Sequence, residues 1–254
     1  TMVLPFLSIY CTKQLGFSLS NAGIVIGVFG LGAIVGSQLS GKLIDKIGFY
    51  KIQIASLFFG GLMFFVVVQL KDFYWLCASV FVLSFFNESF RPANATAVVH
   101  YSKPENITRS YAINRLAINL GFAVGGALGG WLATFNYHLL FYVDGITNIL
   151  AAFLLLKLLP DVASHSTTVK DKKNDATDSP YKDKVFMRFI LLSFFFAVCF
   201  LQLFSMQPIF LKDSWHFSEF EIGTLMALNG IIIVVIEMVL IHSIEGKKSA
   251  LFFI

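Results

Sequence analysis

Seven runs of roughly twenty or more mostly apolar residues constrain this chain more than any other feature. They fall at about 21–44, 52–70, 73–100, 111–134, 137–159, 185–211 and 219–243, after an apolar stub at about 1–11. A hydrocarbon core of about 30 Å is crossed by roughly 20 apolar residues in helical form. A soluble fold would have to hide all seven runs from water. The chain is 57% hydrophobic and 13% charged, and Phe alone supplies 29 of its 254 residues. Soluble domains carry about 25% charged residues, so too little polar surface remains here to coat a globule. The fold class is therefore all-α integral membrane. Lys71-Asp72 and Asn136 mark tight turns between neighbouring spans.

The connecting segments alternate in charge. Fourteen Lys and Arg fall in one set, at 42–51, 103–109, 157–188 and 247–248, whereas the other set holds only Lys13, Lys71 and Lys212. The positive-inside rule puts the first set in the cytoplasm. The net charge of +4 is dispersed in short clusters between apolar runs, a pattern that does not suggest nucleic acid as a partner. Asp161 to Lys184 is rich in Ser, Thr, Asp and Lys and reads as a flexible linker. The expected organisation is a six-helix half at 1–159 with an incomplete first helix, a cytoplasmic linker at 160–184, and the first two helices of a second half at 185–254. The opening Thr1-Met2-Val3-Leu4-Pro5-Phe6 is already apolar, with no basic leader, and reads as a start part-way along a helix. Cys11, Cys77 and Cys199 lie inside apolar runs as packing residues, with no metal-ligand or disulfide spacing. Two N-x-T triplets, at Asn94 and Asn106, fall in a helix and in a loop assigned to the cytoplasm, so neither is read as a glycosylation site.

The two blocks carry matching residues. Phe17, Ser18, Gly23 and Gly30 recur as Phe217, Ser218, Gly223 and Gly230, and Asp45 falls on Glu245 at the same offset, in a second basic loop ending in Lys247-Lys248. Each match alone is weak, and the competing account is coincidence between two amphiphilic helix starts. Together they predict a parallel repeat, of which the chain would hold about eight of twelve helices.

Charges inside spans are costly and mark candidate sites. Glu88 and Arg91 lie three residues apart on one face of the fourth span, and Pro92 should bend the helix there. The pair could line a solute cavity or merely orient helices. Arg115 lies one turn into the fifth span, with Asn114 beside it and Asn119 a turn further on the same face. Two readings fit it equally: a cavity residue, or a side chain snorkelling to the interface. Asp144, two turns into the sixth span, suits a proton site or a cap for Asn148. Glu237 is similar but ranks lower. Gln202 and Gln207 could line a cavity, whereas Phe64-Phe65, Phe85-Phe86 and Phe194-Phe195-Phe196 are read as lipid-facing or packing groups. Gly121, Gly125, Gly126, Gly129 and Gly130 provide a small-residue surface for close helix contact. No catalytic constellation and no metal-binding pair is present, so an enzyme is not expected and no cofactor is implied.

Gly41, Leu43, Asp45, Lys46, Gly48 and Lys51 form a basic loop, G-x-L-x-D-K-x-G-x-x-K, between the second and third helices. This spacing resembles the signature loop of the major facilitator superfamily of secondary transporters. Arg91-x-x-Asn94-Ala95-x-Ala97 looks like a degenerate form of the family's R-x-x-Q-G-x-G motif. The fifth span looks like its antiporter motif, with Gly126 in place of a Pro, and Val3 to Tyr10 is similar to the first-helix end of bacterial drug:proton antiporters. The resemblance implies a fold of parallel six-helix repeats and a cytoplasmic gate at Gly41, Asp45, Lys46, Gly48 and Lys51. Phe49 replaces a usual basic residue of that gate. It further implies a role for Arg91 in proton coupling, with Glu88 or Asp144 expected to bind the proton, and a monomer in the bacterial inner membrane. The leading expectation is proton-coupled efflux of small amphipathic compounds by alternating access, with small solute, protons and lipid as partners. The alternatives are proton-linked uptake of a sugar, peptide or other metabolite, and a non-transporting sensor or scaffold.

Overall fold

The computed structural model describes residues 1–159 and 183–244, and every element among them is helical. Nine α-helices follow one another: α1 Val3–Ile9, α2 Leu19–Ile47, α3 Phe49–Val67, α4 Phe73–Tyr101, α5 Ile107–Phe135, α6 His138–Leu158, α7 Lys184–Ser205, α8 Gln207–Ser214 and α9 Glu219–Ile244. A π-helical turn, Tyr10–Gln14, extends α1, and a 3-10 turn, Pro104–Asn106, precedes α5. Six of the helices are long and apolar enough to cross a membrane. Large apolar side chains such as Leu31, Ile118, Leu150 and Phe196 stand exposed on their outer faces, where only lipid or another apolar surface can cover them.

The expected turns are present. Asp72 caps α4 by accepting the Tyr74 and Trp75 amides at 3.0 and 3.2 Å. Asn136 turns the chain into α6 by accepting the His138 amide at 2.9 Å. Two expectations need correction. The run 185–211 is two helices, broken at Met206, because Pro208 lacks an amide hydrogen and its ring would clash with the carbonyl four residues back. The basic loop is almost wholly helix: α2 continues to Ile47, and α3 starts at Phe49. The turn itself is Gly48, whose φ of 89° is costly for any residue with a Cβ. Of the linker, 160–182 lies outside the described residues; Asp183 already caps α7, accepting the Val185 amide at 2.8 Å. The side chains of Cys199, Gln202 and Glu237, and the basic segment with Glu245, Lys247 and Lys248, also lie outside them.

Close packing is built on glycine and serine. α2 lies along α4, and a methyl group on Gly32 or Gly36 would run into the Phe81 or Phe85 carbonyl. Ser84 and Ser89 of α4 donate across this seam to the carbonyls of Phe29 at 2.6 Å and Gly36 at 3.1 Å. α3 meets α6 where Gly61 faces Gly145. The main apolar core gathers Phe6, Tyr10, Val25, Phe64, Leu140 and Phe141, and Ile222 of α9 joins it. A second core forms at the basic end around Phe49, Tyr50, Ile52, Ala93 and Ala97. Of the aromatic runs, Phe64 is core, whereas Phe194, Phe195 and Phe196 are exposed.

The repeat is visible in the backbone. The Phe17 amide donates to the Cys11 carbonyl at 2.9 Å, and the Phe217 amide to the Leu211 carbonyl at 3.1 Å. Gly16 and His216 both adopt positive φ, 71° and 56°. Ser18 and Ser218 then cap α2 and α9, accepting the Asn21 amide at 3.2 Å and the Glu221 amide at 3.3 Å. Three local features shared at one offset are hard to obtain by chance from two unrelated helix starts.

Candidate functional site: a polar strip between α4 and α5

α4 and α5 run antiparallel and are pinned by two polar contacts. Asn94 donates to the Asn114 side-chain carbonyl at 3.1 Å, and the Tyr111 hydroxyl donates to the Ala95 carbonyl at 3.2 Å. One helical turn moves about four residues along each helix. That register brings Arg115 level with Arg91, and Asn119 level with Glu88. Glu88 and Arg91 form the expected ion pair, Nε to Oε2 at 2.7 Å, with the Arg91 side chain 78% exposed and Glu88 20%. Arg115 and Asn119 are engaged in contacts of their own. Four of the five candidate cavity residues thus lie at similar depth on these two helices. Charged groups on two apolar helices are a costly arrangement in a bilayer. The Arg91 guanidinium, mostly exposed, keeps donors that an anionic or hydrogen-bonding group could meet.

Asp144 stands apart from this strip. It is 4% exposed, and its Oδ2 accepts the Val3 amide of α1 at 3.0 Å. The suggested cap of Asn148 runs the other way: Asn148 donates to the Asp144 backbone carbonyl at 2.8 Å, so the carboxylate is not its partner.

The gate-motif residues end α2 and open α3. Asp45, Lys46 and Lys51 project as exposed charges, and Gly41 has open space where a side chain would be. Phe49 is 5% exposed and packs against His100 and Tyr101 of α4, with ring centroids 5.1 and 5.8 Å away. The residue that breaks the basic cluster thus anchors the turn to the α4 terminus.

The Gly-rich face of α5 divides into two. Gly125 and Gly129 face Met2 and Phe6 of α1. Gly126 and Gly130 face α9: a methyl group on Gly130 would lie 2.6 Å from the Glu219 carbonyl oxygen and 2.7 Å from the Gly223 Cα. Gly121 meets nothing within 4 Å. α5 belongs to the first block and α9 to the second, so this seam joins the repeats. Sequence reasoning missed both Gly32-x-x-x-Gly36 and the α9 partner, although each carries the four-residue glycine spacing or lies near a repeat position.

With this geometry in view, the whole chain, residues 1–254, matches the family described as Major Facilitator Superfamily. The chain belongs to the major facilitator superfamily. It is 23% identical over 230 residues to the quinolone resistance protein NorA of Staphylococcus aureus (strain MSSA476), covering 91% of this chain and 59% of that protein. It is 26% identical over 217 residues to the multidrug resistance protein MdtH of Proteus mirabilis (strain HI4320), covering 84% of this chain and 52% of that protein. MdtH of Edwardsiella ictaluri (strain 93-146) is 22% identical over 212 residues, again 84% of this chain and 52% of the relative. The chain thus spans a little over half the length of these relatives. Family membership and six apolar helices make it a multi-pass membrane protein.

Proposed function

We propose that the complete protein is a secondary transporter of the bacterial inner membrane that expels small amphipathic compounds in exchange for protons. The observation that carries this reading is the α4–α5 strip, where Glu88 and Arg91 pair inside a superfamily helix. The resistance named in its relatives supports export over uptake. Residues 1–159 and 185–254 act as two rigid halves, or parts of halves, joined by a cytoplasmic linker at 160–184. They rock about the seam where Gly126 and Gly130 meet α9. Protonation of Glu88 weakens its hold on Arg91 and frees the strip to exchange solute contacts. Asp144 is the second proton site, and the Asp45 loop gates the cytoplasmic end. The working unit is a monomer.

Energised inverted vesicles carrying the complete protein test this reading. Accumulation of a fluorescent amphipathic cation should vanish when the proton gradient is collapsed. Accumulation that persists would overturn proton coupling. Counterflow of a sugar or peptide with no drug movement would favour proton-linked uptake instead.

A further inference from the structure

Repeat mates that touch across a two-fold axis must lie close to that axis. Lys13 and Asp213 occupy matching positions, between the Cys11/Leu211 carbonyls and the Gly16/His216 turns. They form an ion pair at 2.8 Å, with both side chains about half exposed, 50% and 51%. Identical residues at mated positions would set like charges face to face. Here the two blocks carry opposite signs, which turns the axis contact into an attraction.

A second link lies beside the first. Glu219, at the start of α9, uses one oxygen, Oε1, to accept both the Tyr137 hydroxyl at 2.6 Å and the Lys212 ammonium at 2.6 Å. Tyr137 belongs to the α5–α6 turn of the first block, and Lys212 is the neighbour of Asp213. Lys13, Asp213, Lys212, Glu219 and Tyr137 therefore alternate in polarity and cross between blocks twice. The four charged members, Lys13, Asp213, Lys212 and Glu219, border a cleft of about 570 Å³ at the end away from the basic loops. Both crossings must break if the halves part at that end.

We propose that this chain of five side chains is a latch that holds the transporter closed at its outer end. Its role in transport rests on the alternating-access reading above, whereas its effect on the distance between the halves does not. The Lys13–Asp213 pair is half exposed, so its removal shifts the closed-to-open ratio by at most about fivefold. Placing two carboxylates there adds repulsion to that loss. Glu219 is more enclosed and satisfies two donors, so its loss shifts the ratio by about tenfold.

The test measures distances by pulsed electron resonance in the complete protein. Spin labels go on cysteines placed at the exposed outer-end positions Lys71 and Ser214, after the native cysteines are replaced by Ala. The unaltered latch should give mainly the short distance. K13D and E219Q should each enrich the long distance, K13Q should do so more weakly, and the swap K13D/D213K should restore the short one. Unchanged distances in both K13D and E219Q would overturn the latch, as would a swap no closer to the original than K13D. Melting temperatures of K13Q and the swap separate misfolding from opening. Drug efflux from the same preparations distinguishes the two readings. Latch-dependent distances without drug movement would retain the latch and overturn efflux.

Discussion

Gly130→Ala is expected to force α5 and α9 apart, while Gly125→Ala, one residue short of Gly126 on the same helix, is expected to be tolerated. The new methyl at 130 would sit 2.6 Å from the Glu219 carbonyl oxygen, 2.7 Å from the Gly223 Cα and 3.1 Å from the Gly223 nitrogen, where ordinary contact begins at 3.4 Å. Relief requires a local shift of about 0.8 Å, and every neighbour is helix backbone with no rotamer to turn. Overpacking of this kind costs about 1–3 kcal/mol. A methyl at 125 meets only the flexible Met2 side chain, at 3.6 Å, an ordinary contact. It should also gain about 0.5–1 kcal/mol of helix propensity. The two variants differ in nothing but the facing helix. Thermal unfolding in detergent of the complete protein should therefore show Gly130→Ala melting below the parent and Gly125→Ala at or above it. Equal melting of the two would refute the close α5–α9 seam.

Four other outcomes follow from the same coordinates. Phe49→Ala should destabilise the protein by about 3–5 kcal/mol, because it empties a buried site between α3 and the α4 terminus; thermal unfolding measures it. Ser89→Ala should cost about 0.6 kcal/mol, typical of a hydrogen bond between helices in a bilayer, since its hydroxyl donates to Gly36 and Phe85. Asp144→Asn replaces a buried carboxylate by an amide of nearly the same size and should unfold near the parent temperature, with the loss confined to proton-driven transport in vesicles. Glu88→Gln should likewise preserve the fold, because Arg91 is mostly exposed, yet abolish the response of drug flux to an imposed pH difference.

The helices were legible in the sequence because a bilayer leaves few ways to satisfy a backbone. Length and hydropathy located them to within a few residues, and Asp72 and Asn136 marked the turns. The two errors of detail have local causes. The proline at 208 breaks a run that hydropathy alone treats as continuous, and the Asp45 segment is polar yet still helical up to Gly48. The Glu88–Arg91 pair followed from helical spacing, a property of one segment. The α4–α5 register, the Glu219 hub and the Lys13–Asp213 pair depend on how segments meet, which spacing does not encode. Lys13 and Asp213 were nevertheless within reach, since the offset that aligned Ser18 with Ser218 also aligns these two charges. Phe49, read as a defect in a basic motif, has its own use as a packing anchor.

Proton movement on drug addition tests the central proposal most directly. The complete protein, reconstituted in liposomes enclosing a pH-sensitive dye, should move protons opposite to an added amphipathic drug, and Glu88→Gln should abolish that movement while drug binding persists. Drug flux with no accompanying proton movement, or proton movement unaltered in Glu88→Gln, would contradict the account.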